Sequence, residues 1–330
     1  MTRPLDICIC TYRRADPLAA ALASLGRQTG AFPGFRVIVV DNDDTPSARP
    51  VALAARKAGL ALHYAHHPGA NVSRARNRAL DLADGDWIAF FDDDQAADPG
   101  WLSALWAARN GADAVLGPVE ATYAAHHPAW MRRHAPHSTR AVERRGRIMT
   151  GYSGNVLFHR NAAAFLDLRF LEALGRSGGE DHEFFDMAAR HGARIVFARS
   201  AIAREPVPEP RARFAWLWRR RLRVGRTHGD VRIDRGAARP VLFAKAGAKA
   251  ALCLIVAAGF GAVNRGHAAM WALRGAVHLG AMGAALRPQA LRLSRASGTG
   301  AGVLRAQDGC DTADLAPVGQ GGAFSRRAKP

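Results

Sequence analysis

Three short apolar runs that each stop at a polar residue constrain the fold of this chain most. Leu5–Cys10 stops at Thr11, Phe35–Val40 at Asp41 and Trp87–Phe91 at Asp92. From Ile7, Val37 and Trp87 onward the runs are continuously apolar rather than alternating, the pattern of strands buried on both faces. A further strand is expected at Leu60–Tyr64, and Arg194–Phe197 reads as a late return to the same sheet. Helical segments lie between the runs. Asp16-Pro17 offers an N-cap followed by proline at the first helical position, with Leu18, Leu22 and Leu25 on one face. Ser47 to Gly59 reads as a second helix, Ser73 caps a third that reaches Ala83, and Asp98-Pro99 opens a fourth. The stretch from Gly117 to Arg147 is less regular. This alternation predicts an α/β fold, with a mostly parallel sheet covered by helices on both faces.

In open α/β sheets, ligands bind beyond the carboxyl ends of the strands, so Asp41 and Asp92–Asp94 are expected to meet in one crevice. In extended backbone, Asp92 and Asp94 share a face. Three successive carboxylates repel one another and need a positive neighbour. A hard divalent ion, Mg²⁺ or Mn²⁺, held by one or two carboxylates plus substrate phosphates fits that need. The chain has no P-loop and no GxGxxG. Phosphate charge must then be met by metal and by basic side chains. Arg74 and Arg76 stand at the start of the helix capped by Ser73, where free backbone N–H groups also favour anions. A second acidic group, Gly178-Gly179-Glu180-Asp181, precedes an apolar helix bearing Phe184, Phe185 and Met187. A hydroxyl becomes a good nucleophile once a carboxylate within hydrogen-bond reach takes its proton. Acids at this position also cap a helix, which is the plainer reading.

The formal net charge of +18 implies a polyanionic partner: nucleic acid, an acidic membrane surface or phosphorylated substrates. From Arg204 to Arg239 eleven arginines stand against four acidic residues. There Phe214, Trp216, Leu217 and Trp218 precede Arg219–Arg221, Arg223 and Arg226. Nucleic-acid proteins and interfacial membrane helices both use that mixture, and arginines also stabilise a departing diphosphate. The apolar run Ala250–Val263 is shorter than the roughly 20 residues a membrane span needs. With Lys245, Lys249 and Arg265 flanking it, Pro240–Leu286 is expected as one or two helices in or on an anionic membrane face. The expected organisation is a catalytic domain over 1–235, a membrane-associated helical region over 236–290 and a disordered tail over 291–330. Cys8, Cys10, Cys253 and Cys310 are expected as reduced thiols, and Met1–Cys10 lacks the long apolar stretch of a signal peptide, so a cytosolic setting is expected. His126, His127, His134 and His137 lack zinc-site spacing and are expected to face solvent. Trp130 beside them suits a sugar platform or the core equally.

Four blocks together resemble family 2 glycosyltransferases: Leu5–Arg14, Val37–Asp41, Asn71–Asn77 and Phe91–Asp94. Within that family the chain is similar to bacterial succinoglycan-type polysaccharide glycosyltransferases. The resemblance implies the GT-A fold, a UDP-sugar donor, a divalent metal and inversion at the anomeric carbon. It places Thr11, Tyr12 and Arg14 at the nucleotide, Asp41 on the uracil and Arg76 beside the nucleotide or diphosphate. Asp92 would approach the ribose or the metal, and Asp94 would ligate the metal. The family often has another residue at the position of Asp93, so the division of roles among the three stays open. Glu180 and Asp181 match the acidic pair near the acceptor, with Asp181 as general base, and Gly154-Asn155 matches a short motif lining the donor sugar. A saccharide or lipid-linked acceptor and the cytoplasmic face of a bacterial inner membrane follow as expectations. A metal-dependent nucleotidyltransferase shares the acids but would release pyrophosphate. A nucleic-acid-binding protein would explain the charge and not the acids at strand ends.

Overall fold

The computed structural model describes residues 5–144 and 146–287. The expected tail over 291–330 and Cys310 lie outside the described residues. β1 (Leu5–Thr11), β2 (Phe35–Asp41), β3 (Leu62–His66) and β4 (Trp87–Phe91) run parallel, as the apolar runs require. β3 lies two residues further along than expected. Alternate residues of each strand enter two separate cores. Ile7, Ile9, Val37 and Val39 face one, while Cys8, Ile38 and Val40 face the other.

The helices α1 (Ala15–Leu25), α2 (Arg49–Lys57) and α3 (Val72–Leu82) connect these strands. Neither expected acid nor serine cap forms. Arg14 occupies the N-cap of α1 without a side-chain bond, and Asp16 lies inside its first turn. Asn71, not Ser73, caps α3 by accepting the Arg74 N–H. Ser73 is instead fully buried.

After β4 come β5 (Ala96–Ala97), α4 (Trp101–Ala108), β6 (Ala114–Leu116), β7 (Val119–Thr122) and α5 (Ala129–His134). The small β8 (Glu143–Arg144) and β9 (Arg147–Ile148) pair with each other. The stretch expected to be irregular thus holds several short elements. β10 (Asn155–His159), absent from the sequence reading, inserts antiparallel between β4 and β6. Next are α6 (Glu180–Arg190), β11 (Ile195–Phe197) and β12 (Ala203–Pro206). β11 joins β6 in parallel, so the late strand does return to the sheet. The main sheet has the order β11-β6-β10-β4-β1-β2-β3, and a second sheet has the order β5-β12-β7.

Three long helices follow: α7 (Phe214–Asp234), α8 (Arg239–Gly261) and α9 (Arg265–Leu286). α7 and α9 cross backbone to backbone. A Cβ on Gly225 would stand 1.9 Å from the Val277 carbonyl oxygen, and one on Gly280 would stand 2.1 Å from that of Leu222. Any side chain at either position would push the helices apart. α8 is longer than the apolar run implied: it spans 23 residues, contains an 18-residue window of mean hydropathy 1.9, and is long and apolar enough to cross a membrane. Leu252, Ile255 and Val263 on or just beyond it are 60%, 69% and 85% exposed.

Candidate active site

The carboxyl ends of β1 and β4 open into a crevice of about 480 Å³, closed on its far side by α7. Thr11, Tyr12 and Arg14 leave β1 along one wall, and Asp92–Asp94 leave β4 at its floor. Arg14 Nη1 donates to Asp93 Oδ1 at 2.9 Å and to Asp94 Oδ2 at 2.8 Å. Asp93 is buried. Asp92 faces the crevice with Arg76 3.9 Å away. Enclosure by protein pushes the Asp92 carboxyl up to about 7; Arg76 opposes this, and Asp94 and Asp93 add to it. Burial likewise raises Asp93 against the pull of Arg14. A cation beside these oxygens would relieve that cost, and an all-oxygen ligand set suits Mg²⁺ or Mn²⁺. The triplet does not gather three ligand atoms within 4.8 Å, so substrate oxygens would have to complete the shell.

Gly154 lies under the Asp92 carboxylate. A Cβ there would stand 2.6 Å from Asp92 Oδ2 and 3.0 Å from Gln95 Nε2. This glycine therefore sets the height of the crevice floor. Asn155 does something else. It is fully buried, accepts the Trp101 indole N–H at 2.8 Å and donates to the Pro118 and Ala201 carbonyls at 2.8 Å each. Its amide is spent tying β10 to α4 and the second sheet, so it does not line the donor site as expected.

Asp41 also departs from expectation. Its carboxylate is buried and accepts from the backbone N–H of Asp43 and Ala48 at 3.1 and 2.8 Å and from the Tyr64 hydroxyl at 3.0 Å. It holds the loop after β2 in shape. The neighbouring Asn42 lines the crevice in its place.

Arg76 links the two acidic groups. Its Nη1 donates to Glu180 Oε1 at 2.6 Å, both side chains are buried, and the guanidinium lies 5.4 Å from the Phe170 ring centroid. Gly178 and Gly179, at φ 82° and 99°, bring the chain into α6 as the paired glycines implied. Asp181 sits half-buried in the first turn of α6, where its charge reaches both Arg76 and Arg220.

The wall opposite the acids is basic. Trp216, Arg220 and Arg223 project from α7 at helical spacing, joined by Arg211 and Glu205. Arg211 and Arg220 lie 5.6 and 5.4 Å from the Trp216 ring centroid. Burial pushes the Arg220 guanidinium below its ordinary value; Glu205 opposes this, and Arg211 and Arg223 add to it. Such a cluster is stabilised by an incoming anion. Glu205 and Arg211 were not foreseen, because only β12 and the turn after it carry them to β4.

The histidines are not the solvent-facing group expected. His137 is buried, stacks on Trp216 at 5.5 Å, and meets the Tyr123 hydroxyl and the Arg211 carbonyl at 2.8 and 3.0 Å. It backs the basic wall. Trp130 packs in the apolar cluster with Met131, Leu217 and Leu273, which decides for the core. Burial lowers His137 to about 4, and burial reinforced by His182 and Arg235 lowers His228 on α7 to about 4. Both titrate below the unfolded value of 6.5, so the unfolded chain binds more protons between pH 6.5 and 4. Stability is therefore expected to fall as pH drops through that window, each group contributing up to about 1.4 kcal/mol per pH unit. Urea midpoints measured from pH 7.5 to 4.5 check this; a flat profile would contradict it.

Comparison with known proteins adds the family. The glycosyl transferase family 2 model matches residues 6–166. The succinoglycan biosynthesis protein ExoM of Rhizobium meliloti is 44% identical over 262 residues, covering 78% of this chain and 84% of that protein. The chain belongs to glycosyl transferase family 2. Glucosyl-dolichyl phosphate glucuronosyltransferase of Haloferax volcanii is 24% identical, covering 64% of this chain and 72% of that protein. In fold, the chain is similar to the crystal structure of S. aureus TarS, with TM-score 0.50 and 21% identity over 67% of this chain and 39% of that one. The mostly parallel sheet with one antiparallel insertion is thus the GT-A architecture expected of this glycosyltransferase.

Proposed function

We propose that this glycosyltransferase moves a sugar from a UDP-sugar to a saccharide or lipid-linked acceptor in cell-surface polysaccharide synthesis, with inversion at C1. The observation that carries the reading is one crevice with a carboxylate floor and a basic far wall, tied through Arg76 to the acidic pair at the start of α6. Thr11 and Tyr12 receive the nucleotide. Arg211, Arg220 and Arg223 face the diphosphate and stabilise the charge it gains on leaving. Asp94 and Asp92 are the residues that would hold a divalent cation, whose chemistry there is to offset phosphate charge. Glu180 holds Arg76 in place through their buried ion pair. Asp181 takes the proton of the acceptor hydroxyl, which attacks C1 from the face opposite the departing UDP. Holding both partners in line supplies much of the rate gain.

The acceptor class is supported by the C-terminal helices and by relatives named for succinoglycan synthesis and for a dolichyl phosphate-linked sugar. Residues 1–235 form the catalytic domain in this reading, and 236–290 form the membrane-facing region. The exposed apolar side of α8, with Lys245 beside it, lies in or on the anionic cytoplasmic face of the inner membrane.

With Mn²⁺ and an acceptor extract, purified protein is expected to release UDP from a UDP-sugar. EDTA or Asp94→Ala is expected to lower that release by at least 100-fold, roughly the loss of a principal electrostatic contribution. Release of pyrophosphate, or full turnover in both tests, would contradict the proposal.

A further inference from the structure

We infer that His126, His127 and Glu209 form a binding site for a borderline divalent metal ion of the Zn²⁺ class, separate from the acidic crevice. The three come together only in the fold, because Glu209 opens the turn after β12 and the histidines precede α5. His126 Nε2 and His127 Nε2 lie 2.7 and 3.0 Å from the same oxygen, Glu209 Oε2. Among the described residues, this is the group of three metal-capable side chains whose ligand atoms lie within 4.8 Å of one another.

The spacing is close to what a metal requires. Ligands about 2.0–2.1 Å from a tetrahedral zinc ion stand roughly 3.3 Å apart, so the carboxylate need retreat only by a few tenths of an ångström. Glu209 has that freedom, with its side chain 60% exposed, and His126 is 68% exposed. His127 is the fixed member: its side chain is 3% exposed, and its ring stands edge-on to Tyr123 at 6.2 Å. One rigid ligand, two adjustable ones and an open approach from solvent leave room for water as a fourth ligand. Two imidazoles and one carboxylate suit Zn²⁺ or Co²⁺, whereas the all-carboxylate floor of the crevice suits Mg²⁺ or Mn²⁺.

The position gives such an ion a consequence. Glu209 lies two residues from Arg211, whose carbonyl meets His137 Nε2 and whose guanidinium lines the crevice. An ion here would tie the loop before α5 to the turn that presents Arg211.

The test is calorimetric titration of ZnCl₂ into tag-free, chelator-treated full-length protein, followed by the visible spectrum of the Co²⁺ form. Wild type is expected to bind one Zn²⁺ at this site and to show the intense bands of tetrahedral Co²⁺. Glu209→Gln and His126→Ala alter exposed side chains and are expected to keep the fold, checked by circular dichroism, while weakening Zn²⁺ at least tenfold. Asp94→Ala is expected to retain it. Absence of Zn²⁺ binding to wild type, equal affinity in both variants, or loss in Asp94→Ala alone would overturn the inference.

Discussion

Asp181→Asn is expected to slow sugar transfer by about 10²- to 10⁴-fold, the range of a lost general base, while leaving UDP affinity within about twofold. In the proposed mechanism Asp181, rather than Glu180, is the base of the acidic group at α6. Glu180 is buried against Arg76 at 2.6 Å, so protonating it would strand a buried guanidinium. Asp181 is half-buried, accepts its neighbour's backbone N–H at 2.7 Å, and its charge reaches Arg76 and Arg220 of the crevice wall. Asparagine keeps the shape and that hydrogen bond but cannot take a proton. The loss should therefore fall on kcat, with calorimetric UDP binding preserved. A variant that transfers sugar at the wild-type rate would remove Asp181 from the chemistry.

Arg76→Leu is expected to cost about 3–5 kcal/mol of stability, because it leaves Glu180 buried without its partner. It should also weaken the donor, since Asp92 loses the main cation that opposes the rise of its carboxyl toward 7. A double-mutant cycle separates the two effects. Arg76→Leu combined with Glu180→Leu removes both charges, so the double variant should be more stable than the sum of the single losses implies. Urea denaturation reads the coupling, and additive losses would show that the pair is not a unit. Donor binding should stay weak in the double variant, because Glu180→Leu restores nothing beside Asp92.

How much of this was legible in the sequence depended on whether the decisive partner was local. The parallel strands were readable because burial on both faces leaves continuous apolar runs such as Val37–Val40. The mixture of aromatics and arginines from Phe214 to Arg226 was readable because it is local, but the face formed by Trp216, Arg220 and Arg223 needed the fold. β10 was not readable: five residues carry little periodicity, and its pairing with β4 and β6 is antiparallel and distant. The strand-end rule located Asp41 near the crevice but could not say which way its carboxylate turned. Tyr64, from the next strand, and the Ala48 N–H decided that. Asn155 was misassigned for the same reason, since the carbonyls it serves come from Pro118 and Ala201. The histidines read as solvent-facing because the carboxylate that meets His126 and His127, Glu209, stands 82 residues beyond His127. Motifs gave the positions of polar groups, and tertiary packing gave their orientation.

In the proposed mechanism the crevice between β4 and α7 is the donor site, and a crystal structure of the protein with UDP and Mn²⁺ tests that most directly. The prediction is a uracil beside Thr11 and Tyr12, with the diphosphate between the Asp92–Asp94 floor and Arg211, Arg220 and Arg223. UDP bound anywhere else on the molecule, with that crevice filled only by solvent, would contradict it.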